Sequence, residues 1–278
     1  MDNTKNTPTV GVVIPVYCSS EEHEVYLKEA LKSVACQSFK DYEVIIVDDC
    51  SPRDISPILE RVDGIPALKV IRNETNQGHA RSRNNGVLAT DAEMVAFLDH
   101  DDLWSPEKLE RQVEALRESP DADMVFCKVK VFGPHASRQR TDQSILPERP
   151  SFVWFFFHGN YVLTATAALV RRQALVDIGL FDPRYTTSDD FDAWLKILLR
   201  RRKIVYQPEE LAHYRLHSMN INYGVDRLND TNLLLALYWK YWLSARLREK
   251  LVMLPRLMRK TIVNKPYFYI FRRRRFWD

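Results

Sequence analysis

Hydrophobic positions in the first half of the chain alternate between two periods. VGVVIPV (10–16), YEVIIVDD (42–49), LKVIR (68–72) and EMVAFLD (93–99) are short runs, rich in β-branched residues and apolar at most positions. Runs of that kind predict strands buried on both faces. Between them the period becomes helical: in EVYLKEALKSVACQSF, Leu27, Ala30, Leu31 and Val34 share one face. DISPILERV and NQGHARSRNNGVLAT predict two more helices, the second opened by Asn76 and Gly78. SPEKLERQVEALRES predicts another, with Ser105 as N-cap and Pro106 at the first helical position. This β-α order predicts an α/β fold whose mostly parallel sheet is covered by helices on both faces.

The pattern changes beyond residue 120. MVFCKVKVF predicts a strand, and the polar stretch from Gly133 to Pro150 predicts a long loop. DDFDAWLKILLRR has the spacing of an amphipathic helix. After about residue 224 the chain turns helical, basic and aromatic, so the expected division is a main domain over 1–223 and an extension over 224–278. The longest apolar stretch, FVWFFFHGNYVLTATAALV, is interrupted by His158, Asn160 and two threonines, and predicts no membrane-spanning helix.

Composition adds little that is decisive. The 278 residues, 45% hydrophobic, suffice for one large domain with an appendage. A formal net charge of +3 gives no global field that demands a nucleic-acid partner. Cys18, Cys36, Cys50 and Cys127 form no CxxC pair, and the polar N-terminus has no signal-peptide pattern. Both features predict reduced thiols in a cytoplasmic protein.

The candidate chemistry lies at the strand ends. In an open α/β sheet, ligands collect outside the carboxyl ends of the strands. The first strand ends in PVY, the second in VDD and the fourth in LDHDD, so carboxylates and an aromatic ring are expected on one rim. Such a rim suits a ligand with a flat ring, hydroxyls and a metal-bound phosphate, because Mg²⁺ keeps substrate phosphates and waters beside one or two carboxylates. Taken alone, each acid pair is equally readable as a turn former or helix cap.

In combination, the segments VVIPVY, LKEALKSVACQSFKDYEVIIVDDCS, NQGHARSRNNGV, VAFLDHDDLWSPEKLE, VRRQALVDIGLFDPRY, SDDFDAWLKI and YRLH resemble glycosyltransferase family 2 over roughly residues 9–220. The resemblance implies the GT-A nucleotide-diphospho-sugar transferase fold and an inverting sugar transfer. It implies that Pro15, Val16 and Tyr17 cradle the nucleotide base, most often uracil, and that Asp49 accepts a hydrogen bond from it. Gly78 would open a helix whose N-terminus lies near the donor, and Arg83 would help to hold the donor or serve as a structural ion-pair partner. Asp101 and His217 would ligate Mn²⁺ or Mg²⁺, with Asp99 facing the ribose or a metal-bound water. Asp102 would order the turn before Trp104, and Asp190 would be the general base. The sequence departs from the family pattern at Cys18, usually Asn, and at Asp189, usually Glu.

Two other classes compete. A non-catalytic nucleotide-sugar-binding module would lack the metal and base positions, which are present. A nucleotidyltransferase would need a glycine-rich phosphate loop with a lysine, which VVIPVYCSS does not offer. The expected partners are a UDP-linked sugar and a glycan or polyprenyl-linked acceptor. From Lys240 onward the only acids are Glu249 and Asp278. That tail predicts either peripheral contact with an anionic membrane at its inner face or helices packed on the domain.

Overall fold

The computed structural model describes residues 7–136, 146–185, 187–218, 220 and 227–259. Among these, the chain begins with β1 (Val10–Val16), α1 (Glu21–Ala35), β2 (Tyr42–Asp48), α2 (Ser56–Leu59) and β3 (Leu68–Arg72). Next come α3 (His79–Leu88), β4 (Met94–Phe97), β5 (Leu103–Trp104), α4 (Lys108–Glu118), β6 (Ala122–Phe132) and α5 (Phe152–His158). The remainder is β7 (Ala168–Arg171), α6 (Arg172–Asp177), α7 (Asp189–Leu199), β8 (Lys203–Arg215), α8 (Arg227–Ser244) and a helix over 247–259, here α9.

The strands form a single sheet in the order β3-β2-β1-β4-β7-β6-β8-β5. Its first half is parallel: β1 pairs with both β2 and β4, and β2 with β3. Every residue of β1, β2 and β4 is buried, in keeping with their mostly apolar runs, and in β2 this includes Glu43 and Asp48. β3 instead exposes four of its five residues at the sheet edge. The second half is mixed, because β7 runs antiparallel to β4 and β6, and β5 antiparallel to β8, while β6 and β8 are parallel. The parallel rule therefore holds for β1 to β4 and lapses beyond them, where β7 enters the sheet antiparallel to both its neighbours.

Close contact fixes α3 against the sheet. A Cβ built on Gly86 would come within 2.3 Å of Val13 Cγ1, so only glycine admits this approach of helix to β1. At the other end of α3, Gly78 has φ +83°, a left-handed conformation that glycine adopts without strain.

Two expected helix boundaries shift. α4 starts at Lys108, not at Pro106, because β8 captures Ser105: its N–H donates to Leu211 O and its hydroxyl to Glu210 O. Residues 105–107 make a turn instead, closed by Lys108 N–H on Ser105 O. The helix expected in DISPILERV shrinks to the four residues of α2. Residues 137–145 of the loop expected over 133–150 lie outside the described residues, as do 260–278 of the basic tail. The described part of the C-terminal segment packs on the domain: Leu237, Tyr238, Tyr241, Met253 and Leu257 are buried. Tyr241 donates to Asp192 Oδ1 at 2.7 Å, and Lys240 and Lys196 pair with the same carboxylate at 2.8 and 2.7 Å.

Candidate active site

β1 lies between β2 and β4, and the connections leave it in opposite directions, so a crevice opens beyond its carboxyl end. A cleft of about 380 Å³ occupies that position, within the size range of small-molecule sites. Pro15, Val16, Tyr17, Asp49, Gly78, Arg83, Asp99 and Asp101 reach it from the parallel half, and Asp190 and His217 from the mixed half. Eight positions read from the strand and helix ends of the first half thus meet Asp190 and His217 from the second, His217 lying more than a hundred residues beyond Asp101.

Each of these side chains has a distinct setting. Tyr17 is 40% exposed, so it is not a core aromatic, and its ring is available to a planar ligand. Asp49 is buried and accepts from Asn73 Nδ2, Gln77 N–H and Gly78 N–H, each at 2.8 Å. It therefore fixes the loop that leads into α3 while its carboxylate lines the cleft. Arg83 donates to Asp99 Oδ1 at 2.7 Å and to Asp189 Oδ2 at 2.9 Å. Despite its burial, the two carboxylates hold the guanidinium well above its ordinary range.

Asp99, Asp101 and Asp102 follow β4 directly. Asp102 is fully buried, accepts from Thr166 Oγ1 at 2.7 Å and from Arg215 N–H at 2.9 Å, and orders the turn into β5. Burial and then the neighbouring charges of Asp101 and Asp99 push its carboxyl far up. Arg215 Nε also donates to Asp101 O at 2.7 Å. The β5–β8 pairing places Leu103 opposite His213, so YRLH emerges beside the acids. His217 Nε2 then lies 2.9 Å from Asp101 Oδ2. Burial would raise Asp101, but the His217 contact and the nearby histidine charges bring it below the ordinary carboxylate range.

The acids of α7 behave differently from one another. Ser188 stands at the N-cap without a side-chain capping bond. Asp189 is paired with Arg83 and with His79 Nε2 at 2.9 Å, and these partners overcome its burial and keep it ionised. Asp190 accepts from Asn160 Nδ2 at 3.1 Å and from Phe191 N–H at 2.6 Å. Burial, followed by the Asp189 charge, lifts its pKa to about 6. A carboxylate in that range sits where general bases operate near neutral pH.

Among the described residues, no three His, Cys, Asp or Glu side chains converge on one metal position. Asp101 and His217 supply two adjacent donors, which fits a cation that takes its other ligands from a diphosphate and water. His100 Nε2, buried without a protein partner, opens toward the same cleft and marks further room for a polar ligand.

Several contributors carry no sequence signal of their own. Asn160 and Thr164 come from a segment that reads as apolar, and Leu163 between them is held at φ +70°, a strained conformation for a non-glycine residue. Thr164 Oγ1 reaches Asp99 Oδ2 at 3.3 Å. His79 follows Gly78 inside a motif that had already drawn notice, and only the fold reveals its contact with α7.

Comparison with known proteins agrees with this geometry. The family model for glycosyl transferase family 2 matches residues 11–179. A putative teichuronic acid biosynthesis glycosyltransferase, TuaG of Bacillus subtilis, is 31% identical over 219 residues, covering 77% of this chain and 82% of its own. An uncharacterised glycosyltransferase of Haemophilus influenzae is 27% identical over 221 residues, covering 79% and 72%. Residues 1–349 of S. aureus TarS, solved with UDP-GlcNAc, superpose with a TM-score of 0.72 at 23% identity, over 91% of this chain and 72% of that one. A mannosyltransferase of Pyrobaculum calidifontis, solved with GDP-Man and Mn²⁺, gives 0.65 at 18% identity over 87% and 66%. These structural likenesses establish the GT-A fold, and the sequence matches establish the family. The chain belongs to glycosyltransferase family 2 and is a glycosyltransferase.

Proposed function

We propose that the enzyme transfers a sugar from a UDP-linked donor to a hydroxyl of a glycan, free or polyprenyl-linked, with inversion at the anomeric carbon. The observation that carries this reading is a cleft that holds a carboxylate tuned to about 6, Asp190, together with the Asp101–His217 pair. Asp190 takes the proton of the acceptor hydroxyl as that oxygen bonds to the anomeric carbon. The bond from the anomeric carbon to the diphosphate oxygen breaks with its electron pair, and the nucleoside diphosphate departs from the opposite face. Asn160 orients the carboxylate through Oδ2. Arg83 holds Asp189 ionised, and that charge supports the basicity of Asp190.

Tyr17 stacks on the base, with Pro15 and Val16 shaping its pocket. Asp49 accepts from the base with the capacity its three internal bonds leave over. Asp99 faces the ribose or a metal-bound water, with Arg83 and Thr164 fixing its direction. Asp101 and His217 would hold Mn²⁺ or Mg²⁺, which when bound neutralises charge on the leaving diphosphate. The support is the neighbour solved with GDP-Man and Mn²⁺ and those solved with UDP and UDP-GlcNAc.

A panel of nucleotide-sugars incubated with the full chain and Mn²⁺ tests the reading. Release of free UDP from one UDP-sugar, lost on chelation, is the expected result. Release of pyrophosphate would identify nucleotidyl transfer instead. Tight donor binding without turnover, even with glycan acceptors present, would identify a non-catalytic module.

A further inference from the structure

Helix α9 shows two unlike faces. Its inner face is already engaged: Met253 and Leu257 are fully buried, Trp242 Nε1 donates to Lys250 O at 3.0 Å, and Glu249 is gripped by both terminal nitrogens of Arg201. Its outer face carries Leu247, Leu251, Leu254 and Met258, which are 74%, 66%, 36% and 44% exposed. At spacings of four, three and four residues, these side chains fall within roughly 60° of arc on a helix of 3.6 residues per turn. Leu243, 63% exposed at the end of α8, precedes the same stripe. Among the described residues nothing covers this stripe, because the helix is anchored through its other face. No helix among the described residues is long and apolar enough to cross a membrane.

The charges around the stripe define what would cover it. Between residues 246 and 259 stand Arg246, Arg248, Lys250, Arg256 and Arg259, against the single acid Glu249, which is neutralised by Arg201. Arg246, Arg248 and Arg259 are exposed. The sequence then adds Lys260, Lys265 and Arg272 to Arg275 before the next acid, Asp278. A second copy of the chain would set this single-sign rim against itself. Leucines that enter the headgroup–acyl boundary, with cations against anionic headgroups, satisfy both features together.

We propose that α9 docks the enzyme on an anionic lipid surface, with Leu247, Leu251, Leu254 and Met258 inserted and the flanking arginines against the headgroups. α9 follows directly on α8, which is tied to Asp192, two residues beyond Asp190. Docking would therefore hold the catalytic helix at a fixed attitude to the membrane. The proposal is independent of which sugar is moved.

Cosedimentation of the full chain with phosphatidylcholine vesicles, with and without phosphatidylserine, tests it. The parent should bind the phosphatidylserine vesicles and bind neutral ones weakly, with binding that weakens as salt rises. L247E/L251E, altered only at exposed positions, should lose at least about tenfold in binding while its thermal melt stays unchanged. R248E/R259E should lose the preference for phosphatidylserine. Parent-like sedimentation of L247E/L251E would overturn the proposal. So would a parent that dimerises in solution, ignores vesicles and becomes monomeric on L247E/L251E substitution.

Discussion

Replacing Asp190 by asparagine separates what this residue costs the fold from what it gives the reaction. Burial and the Asp189 charge hold its pKa at about 6. The folded protein thus binds more protons than the unfolded chain from the ordinary carboxylate range up to pH 6, and stability falls as pH rises through that window. Above it the cost is complete: about two pH units at about 1.4 kcal/mol each, or about 3 kcal/mol. Asparagine carries no charge, so D190N should exceed the parent in stability by up to about 3 kcal/mol at neutral pH, and by little near pH ~4. Part of that gain is forfeited, because one amide oxygen replaces two carboxylate oxygens that accept from Phe191 N–H and Asn160. Turnover should fall by about 10²–10⁴-fold, with donor affinity retained. Urea denaturation at the two pH values and steady-state UDP release read the two effects separately. Near-parental turnover would refute the base assignment, and a stability gap indifferent to pH would refute the electrostatic account.

Other perturbations probe the rest of the frame. Asp101→Ala and His217→Ala should each remove the Mn²⁺-dependent part of donor binding in calorimetry, leaving the thermal melt of the metal-free protein in place. Gly86→Ala drives a methyl to 2.3 Å from Val13 and should cost about 1–3 kcal/mol in urea denaturation. Tyr241→Phe withdraws a donor from the buried Asp192 carboxylate and should cost about 1–3 kcal/mol by the same measurement, with Lys196 and Lys240 still in place. In the parent, the acid limb of the rate profile should lie near pH 6, with turnover falling about tenfold per unit below it. A limb in the ordinary carboxylate range would contradict the lifted pKa of Asp190.

The parallel half of the fold is legible in the sequence because it obeys one rule repeatedly. A buried run in β1, β2 or β4 can only be a strand with helices on both sides, and polar residues at its carboxyl end can only face the crevice. The second half yields less. β6 is apolar enough to be read as a strand, while β7 and β8 are not so read, and the directions of all three depend on long connections that carry no periodic signal. Ser105-Pro106 has the chemistry of a helix start, yet β8 takes Ser105 for its own backbone. The C-terminal segment reads as either packed or membrane-facing, and α9 buries one face while it leaves leucines exposed on the other. No one-dimensional pattern could assign Met253 inward and Leu251 outward without the contacts that hold Glu249 and Trp242.

The site shows the same division with a physical consequence. The strand-end acids and the acids of α7 are about ninety residues apart, and each group taken alone has an ordinary explanation. Arg83 joins them: one terminal nitrogen holds Asp99 and the other Asp189, from a helix seated on β1 by Gly86. A lone buried guanidinium would be costly, and so would either carboxylate without it. Together they form a charged bridge across the cleft from the strand-end acids to the acids of α7. The bridge keeps Asp189 ionised, and an ionised Asp189 keeps Asp190 basic. The two readings of Arg83, donor holder and structural ion pair, are therefore not exclusive. The ion pair is the means by which an arginine at the strand-end acids is linked to Asp190, the proposed base.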